Sequence, residues 1–424
     1  MLMTKDSEIH PDGSKMSSSK TALTICAINY LPKALVLYET YRQWHPDQDF
    51  HIVLVDRKDP AISINRPGLR LIWVEDLGVA QFQQHAFAFD VIELSTNIKP
   101  AALKLMLSTY DVALYIDPDI KIYAPLTPVQ EALKTASLVV TPHTNLPIVD
   151  GNKPDDVDLL RFGAFNLGFV GVSRCDEGLR FLDWWSDRCL EFGFYEPQVG
   201  LAVDQKWVDL APAFFPAMQI LHDPGLNLAF WNLHERTLSA GPEGWLVNGE
   251  YPLRFIHFSS FDATRPDVIA HKQNRFAPGS RPDFHALAET YAGELQAEGS
   301  EEFVKRRYGF DYFEDGTYIT PALRRFYAGL RSQFADVTNP FDPAGRVMAF
   351  ARKHRLLVRA NAASKRHTFQ DLGKFGGAIR FIHVLLRCAL RVLGPNRYYM
   401  LMRYVAHVSS LRNQAEMFGN VKQD

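Results

Sequence analysis

Short apolar runs alternate with helical patterns along the first part of the chain. The runs that have the length of buried strands are residues 21–28, 50–55, 69–74, 112–116 and 138–141. Segments with helical spacing, such as residues 33–44 and 100–107, lie between these runs. The alternation predicts an α/β fold in which helices cover both faces of a mostly parallel sheet. Ligands bind such sheets beyond the carboxyl ends of the strands.

The charge of the chain is unevenly distributed. Residues 345–424 hold 15 Lys and Arg against 3 Asp and Glu, a net charge of +12, whereas the remainder holds 31 against 45, a net charge of −14. The overall charge of −2 does not favour a nucleic-acid partner. The basic tail, interleaved with apolar residues, predicts an amphipathic helical segment. Two interpretations stay open for it: peripheral contact with an anionic membrane surface, or a cap packed on the acidic body.

Cysteine usage and the first residues bear on the compartment. The four cysteines are scattered, without a Cys-x-x-Cys or Cys/His cluster, which indicates neither a zinc site nor a disulfide framework and fits a cytoplasmic protein. Residues 1–20 are polar and rich in Ser and Lys, which predicts a disordered leader rather than a secretory signal. We therefore expect a cytoplasmic location, with contact at the inner membrane face if the tail binds lipid.

Two aspartates, Asp117 and Asp119, follow the apolar run at residues 112–116 with one residue between them. A strand end that presents two carboxylates is a natural site for a hard divalent cation. A cation held by only two protein carboxylates keeps positions for water and substrate phosphates, which suits an enzyme that handles a nucleotide diphosphate. The alternative is an acidic cap on a strand-to-turn junction.

Five segments, taken in order, resemble the GT-A glycosyltransferases, specifically the family-eight-like group of nucleotide-sugar transferases. The segments are Ala-Ile-Asn-Tyr at 27–30, Asp-Pro-Asp at 117–119, Phe-Asn-Leu-Gly-Phe at 165–169, Asp-Gln at 204–205 and Ile-His-Phe-Ser at 256–259. The resemblance covers about residues 21–280 and implies a GT-A, Rossmann-like catalytic domain. The family usually has a glycine where Ser260 stands, and the Lys-Pro-Trp that normally follows is missing here.

The resemblance implies a metal site and a cofactor. Asp117 and Asp119 would hold a divalent cation, and the family pattern adds His257 as a third ligand. A site with two carboxylates and one imidazole favours Mn²⁺ over Mg²⁺. The other interpretation of His257 is a strand-end histidine that is bonded to a backbone carbonyl.

A second set of residues is predicted to bind the nucleotide-sugar donor: Ala27, Asn29, Tyr30, Asp56, Lys99, Asn166 and Gly168. A tyrosine ring in the first strand-to-helix turn is able to stack on a base, and Lys99 is placed to reach a phosphate. Ordinary turn chemistry, a solvated lysine and a strand bulge are the corresponding structural alternatives.

Asp204 and Gln205 are the predicted catalytic residues, because an Asp there can bond sugar hydroxyls or act as a nucleophile or base. A surface ion pair between Asp204 and Lys206 is the alternative. The candidates for the acceptor side form a polar and aromatic cluster: Asn227, Trp231, Asn232 and His234. A well-bonded loop over the core would explain the same cluster.

The sequence thus predicts four regions: a leader at 1–20, a GT-A domain at 21–280, a helical extension at 281–344 and a basic amphipathic tail at 345–424. The predicted function is metal-dependent transfer of a sugar, with retention, from a nucleotide-diphosphate donor to a glycan or lipid-linked acceptor, as in polysaccharide biosynthesis. The alternative is a non-catalytic carbohydrate- or nucleotide-binding scaffold on the same fold.

Overall fold

The structure, a computed structural model, describes residues 19–358, 376–419 and 421. The chain divides into two compact units. One comprises residues up to 79 together with 95–307, and the other comprises residues 80–94 together with those from 308 onward. The predicted leader, apart from Ser19 and Lys20, lies outside the described residues.

The strands are short and mostly buried. In chain order they are β1 Lys20–Cys26, β2 Asp49–Leu54, β3 Leu69–Trp73, β4 Val112–Ile116, β5 Ile120–Ile122, β6 Leu138–Pro142, β7 Phe165–Ser173, β8 Tyr195–Glu196, β9 Leu201–Ala202, β10 Met218–Ile220, β11 Leu238–Gly241, β12 Gly244–Val247, β13 Tyr251–Pro252 and β14 Phe255–His257. Each of the five apolar runs at the start of the chain forms a strand, as the sequence predicts.

The helices alternate with these strands. They are α1 Leu31–Trp44, α2 Phe82–Ala88, α3 Val91–Asn97, α4 Lys99–Leu107, α5 Thr127–Ala132, α6 Asp156–Phe162, α7 Asp176–Phe192, α8 Gln205–Val208, α9 Ala211–Phe214, α10 Pro282–Ala297, α11 Ser300–Phe303, α12 Pro321–Gly329, α13 Arg346–Lys353 and α14 Gly376–His407. Single turns of 3₁₀ helix include Ile28–Tyr30, and a longer one spans Leu411–Phe418.

A seven-stranded sheet, in the order β10-β6-β7-β4-β1-β2-β3, forms the centre of the first unit. The predicted α/β class with a mostly parallel sheet is confirmed, and β7 alone runs antiparallel to both of its neighbours, β4 and β6. The reversal matters for the site. It brings the first residues of β7, rather than its last, beside the carboxyl end of β4, where Ile116 pairs with Phe169.

A two-stranded ribbon of β5 and β14 continues from the end of β4. His257 of β14 pairs with Ile120 of β5, and the Phe258 amide donates to the Asp119 carbonyl at 2.8 Å. Below the ribbon, the rings of Phe169 and Phe255 pack at 4.9 Å between centroids. Because these residues are fully buried, the ribbon is fixed to the sheet and cannot shift its register without exposing apolar surface.

The first unit extends beyond the predicted boundary at residue 280. Helix α10 buries Phe284, Leu287 and Tyr291 in a cluster with residues 228–233 and Phe258. The Tyr291 ring stacks on Phe258 at 4.1 Å. The first unit of the structure therefore runs to residue 307 instead of the predicted 280, because the apolar face of α10 has its partners within that unit.

The second unit contains the packed parts of the predicted tail. Arg324 is buried and donates to the carbonyls of Ala86, Phe87, Phe89 and Phe310 at 2.6–3.0 Å. Helix α13 is buried along one face, and the 3₁₀ turn at Leu411–Phe418 also packs in this unit, with the Phe418 ring 4.8 Å from that of Phe326.

Helix α14 is different, because most of its side chains are exposed. A non-helical Gly394, with φ of 74°, followed by Pro395 breaks it into two arms. Residues 359–375 of the predicted tail lie outside the described residues. Within the described part of the chain, no helix combines the length and the apolar character needed to cross a membrane.

Candidate active site

Two strand ends and one ribbon strand bring the three predicted metal ligands together. Oδ1 of Asp119 lies 3.0 Å from Nε2 of His257, and Oδ2 of Asp117 lies 3.6 Å from the same nitrogen. One ligand atom from each of the three residues lies within 4.8 Å of the others. The backbone explains the convergence, since the Asp117 amide donates to the Gly168 carbonyl at 2.7 Å and the β5–β14 ribbon places His257 opposite.

The donor set fits a divalent cation. Two carboxylates and an imidazole at these spacings are suitable ligands for first-row metals such as Mn²⁺. Burial works against the charge on Asp119, but attraction to His257, a hydrogen bond to it and attraction to Lys33 together lower the pKa of this carboxyl. Asp119 is therefore an ionised and largely buried carboxylate beside His257 rather than a solvated turn residue.

Gly168 leaves the space in which these ligands meet. A Cβ on this residue would lie 2.5 Å from Cε1 of His257 and 2.7 Å from Oδ2 of Asp117. We expect Gly168→Ala to push the ligands apart and to weaken Mn²⁺ binding by at least about tenfold, the scale of effects seen when ligand orientation is disturbed. Mn²⁺ titration followed by electron paramagnetic resonance measures this.

Gly293→Ala is the matched control for that experiment. A Cβ at Gly293, within α10, meets no heavy atom within 4 Å. We expect unchanged Mn²⁺ affinity and a gain of about 0.5–1 kcal/mol in the free energy of unfolding, because alanine favours a helix. Equal Mn²⁺ affinity for Gly168→Ala and the wild type would contradict the predicted crowding.

Lys99 and Asp204 form a buried ion pair behind the acidic site. The Lys99 ammonium lies 3.0 Å from Oδ2 of Asp204 and 3.7 Å from Oδ1 of Asp117. It also donates to the Leu167 carbonyl at 2.8 Å and lies over the Tyr115 ring. Lys99 is 2% exposed and Asp204 1%. The alternative of a solvated lysine is thus wrong, and so is a pair between Asp204 and Lys206, which bonds Asp209 instead.

The charges of this pair follow from burial and mutual attraction. Burial tends to lower the pKa of Lys99, but the carboxylates of Asp204 and Asp117 raise it overall. Burial raises the pKa of Asp204 to about 6 in spite of the attraction to Lys99. Both residues are therefore charged at neutral pH, and the pair places one positive charge between two carboxylates.

Gln205 has its amide engaged with the backbone. Its Oε1 accepts from the Leu167 amide at 3.1 Å, and its Nε2 donates to the Phe162 carbonyl at 2.9 Å. The side chain therefore holds the start of β7, on which Asn166 and Gly168 lie. Its predicted catalytic role stays a prediction, and the geometry gives Gln205 a structural role in this arrangement.

The predicted residues for the nucleotide side lie at the carboxyl ends of β1 and β2. Tyr30 is 43% exposed, and the ammonium of Lys33 lies 4.3 Å from the centre of its ring. Asn29 precedes Tyr30 in the same turn. The Tyr30 amide closes this turn by donating to the Ala27 carbonyl. Asp56 is buried at the end of the neighbouring strand and accepts from the Arg57 amide at 3.0 Å.

The predicted acceptor-side residues form a tightly bonded loop. The Asn232 side chain donates to the carbonyls of His143 and Asn227 and accepts from the Ala229 amide, all within 2.9 Å. Asn227 adopts φ of 56° and donates to the Pro142 carbonyl. Both amides thus serve the loop, as the alternative interpretation holds. Trp231 is buried and packs edge-on against His257, with 5.2 Å between the ring centroids, and His234 is partly exposed.

Sequence reasoning missed several residues that surround the site. The Tyr115 hydroxyl donates to Oδ1 of Asp117, and His143 contacts Asn166. The positive charge of Lys33 helps to lower the pKa of Asp119. A tyrosine two residues before an acidic pair on one strand shares its face, so Tyr115 carried a usable signal. Lys33 and His143 carried none, because their positions depend on tertiary packing. Ser260 has φ of 59°, the left-handed conformation that favours glycine, in line with the glycine expected there.

Comparisons with known proteins place the chain in a family. No family model matches it. Over 245 residues, 56% of this chain, it is 30% identical to the uncharacterized protein YfnD of Bacillus subtilis strain 168 and covers 76% of that protein. It is 25% identical over 245 residues to the uncharacterized protein YfnF of the same strain and covers 80% of it. The chain therefore belongs to the YfnD family.

Solved glycosyltransferases are among the structures to which it is similar. The galactosyltransferase LgtC, in complex with donor and acceptor sugar analogs, shares 16% identity and a TM-score of 0.41, with coverage of 65% of this chain and 95% of LgtC. GlyE of Streptococcus pneumoniae TIGR4 shares 15% identity and a TM-score of 0.40, with coverage of 70% and 67%. Since both TM-scores lie below 0.5, these similarities alone carry no inference about activity.

Proposed function

We propose that the protein is a metal-dependent glycosyltransferase that moves a sugar from a nucleotide-diphosphate donor to a glycan or lipid-linked acceptor. The observation that carries this proposal is the convergence of Asp117, Asp119 and His257 at the carboxyl ends of the strands, beside the buried pair of Lys99 and Asp204. In a parallel α/β sheet this edge is where ligands bind.

The residues divide the chemistry of such a reaction between them. Asp117, Asp119 and His257 would hold a divalent cation, Mn²⁺ in preference to Mg²⁺, which supplies stabilisation of the negative charge on the departing diphosphate. Tyr30 offers an exposed ring face for a base, and Lys33 beside it offers a positive charge for a phosphate. Lys99, held by its ion pair with Asp204, places a positive charge 3.7 Å from Asp117. Retention of configuration is proposed from the family resemblance.

The test is release of a nucleoside diphosphate. The full chain is incubated with Mn²⁺, a panel of nucleotide sugars, and glycan or lipid-linked acceptors, and product formation is compared with that in excess chelator. We expect turnover with at least one donor that chelator abolishes. Tight donor binding without turnover on any acceptor would instead support the non-catalytic scaffold, and full activity in chelator would overturn the metal-dependent mechanism.

We further propose that α14 contacts an anionic membrane surface at the cytoplasmic face, where a lipid-linked acceptor would be presented. The helix carries five arginines and no Asp or Glu. Its exposed apolar side chains include Phe381, Val392, Tyr399, Met400 and Tyr404, each more than 60% exposed. Positive charge interleaved with exposed aromatic and aliphatic side chains complements anionic headgroups above an apolar layer.

Vesicle flotation tests this surface. The protein is expected to float with vesicles rich in phosphatidylglycerol and to stay behind with pure phosphatidylcholine. Each basic residue contributes about 1 kcal/mol near an anionic surface, so Arg387→Gln combined with Arg391→Gln should lower partitioning by about 30-fold. The control replaces two exposed arginines of the first unit, Arg161 and Arg180, by Gln. Equal flotation of both double variants would remove the membrane proposal.

A further inference from the structure

His143 directly follows the last residue of β6 and is buried near the three predicted metal ligands without being one of them. Its ring packs edge-on against Trp231 at 5.1 Å between centroids, and Trp231 in turn packs edge-on against His257. The three rings are thus linked by two successive edge-on contacts. No catalytic, donor or acceptor role in the proposed reaction uses His143.

The hydrogen bonds of His143 have a fixed direction. Its Nδ1 lies 3.2 Å from the Ala164 carbonyl, and a carbonyl oxygen can only accept, so Nδ1 carries the proton. In a neutral imidazole the other nitrogen is then an acceptor. Burial lowers the pKa of His143 to about 4, which keeps the ring neutral at physiological pH. Nε2 of His143 therefore accepts from the Asn166 amide group at 3.4 Å.

The orientation of the Asn166 amide also determines which nitrogen of His257 is protonated. With its NH₂ group turned to His143, Asn166 presents Oδ1 to Nδ1 of His257 at 3.1 Å. An amide oxygen also accepts only, so Nδ1 of His257 must be the protonated nitrogen. The remaining nitrogen, Nε2, is the one that faces the two aspartates.

We propose that His143 is a positioning residue, which orients His257 as a metal ligand through Asn166. In this chain of hydrogen bonds each group donates to the next one, from His257 through Asn166 and His143 to the Ala164 carbonyl. The inference rests on the proposed function, because it assumes that a cation is bound between Asp117, Asp119 and His257. Histidine ligands commonly donate their second ring N–H to an acceptor that fixes the ring, and here a second histidine decides which way that acceptor faces. Without it, the Asn166 amide is free to rotate and to offer its NH₂ group to His257.

Two substitutions of His143 separate this role from simple packing. His143→Phe keeps the ring volume and the contact with Trp231 but cannot accept from Asn166. His143→Gln loses the ring but retains an acceptor oxygen. We expect Mn²⁺ affinity, measured by electron paramagnetic resonance on the full chain, to fall about tenfold in His143→Phe and to recover in His143→Gln. A packing role gives the reverse order, and that result would overturn the proposal.

A double-variant cycle tests the connection to Asn166. If His143 acts only through Asn166, His143→Phe should weaken Mn²⁺ binding in the wild type but add nothing in an Asn166→Ala background. Additive losses would sink the proposal, and thermal melts of all variants confirm folding.

Should the wild type bind Mn²⁺ no better than Asp119→Asn, the metal site and the proposed function fail together. Should it bind Mn²⁺ while His143→Phe binds equally well, the positioning role alone fails.

Discussion

Replacing Asp119 by asparagine is expected to lower the sugar-transfer rate by at least about 100-fold, the loss typical when one group that stabilises developing charge is removed. The substitution keeps the side-chain size and removes the negative charge that faces His257 at 3.0 Å. Mn²⁺ binding should weaken in parallel, because the site then offers one carboxylate instead of two. Nucleoside diphosphate release and Mn²⁺ titration provide the two measurements.

The fold should survive this change. The ionised Asp119 carboxylate is attracted to His257 and Lys33, which is why its pKa is lowered, so its removal costs this attraction even in the absence of metal. We expect a native circular dichroism spectrum and a somewhat lower melting temperature without metal, together with the loss of any stabilisation by added Mn²⁺. Asp187→Asn, at an exposed position on α7, is the control and should keep wild-type turnover. Wild-type turnover in Asp119→Asn would refute the assignment of the site.

Lys99→Met is expected to produce the largest loss of stability. It removes the ammonium group that lies 3.0 Å from Asp204 and 3.7 Å from Asp117, and so leaves Asp204 as a buried charge without its partner. Breaking a buried ion pair from one side costs about 3–5 kcal/mol. Urea denaturation measures the free energy of unfolding, and Lys104→Met is the matched control. Lys104 lies on the same helix, but its side chain is 53% exposed and pairs with an exposed aspartate.

The double variant Lys99→Met with Asp204→Leu distinguishes charge from shape. Replacing both members of a buried pair by apolar residues of similar size is often neutral for stability, so most of the lost free energy should return. Activity should not return, because the predicted catalytic residue Asp204 is absent and Asp117 still lacks its nearby positive charge. If Lys99→Met and Lys104→Met lose the same free energy of unfolding, the buried pair has no special role.

The fold was largely predictable because its strands are short and buried. Residues 112–116 form β4 as predicted, since an uninterrupted apolar run of this length is typical of a strand that is buried on both faces of a covered sheet. The reversal of β7 was not predictable, because an antiparallel strand buried on both faces has the same apolar pattern as a parallel one. The boundary at 280 differs for a related reason: the periodicity of α10 shows that it has an apolar face but not which surface covers that face.

The candidate site was predictable where chemistry is local. Asp117 and Asp119 lie on one turn, and the family resemblance supplied His257, which the structure brings to them. The surroundings were not predictable, since the burial of Lys99 depends on contacts with residues far along the chain. His143 gave no signal for the same reason: its role is set by a carbonyl, an amide and a ring that only the folded chain brings together.

The β5–β14 ribbon has a consequence for how the protein matures. Its two strands come from distant parts of the chain, and His257 emerges from the ribosome long after Asp117 and Asp119. The complete set of three ligands therefore exists only after the later strand has paired with the earlier one. A cation that needs all three ligands is therefore bound tightly only after the ribbon has formed, so its tight binding would report that this long-range pairing is complete.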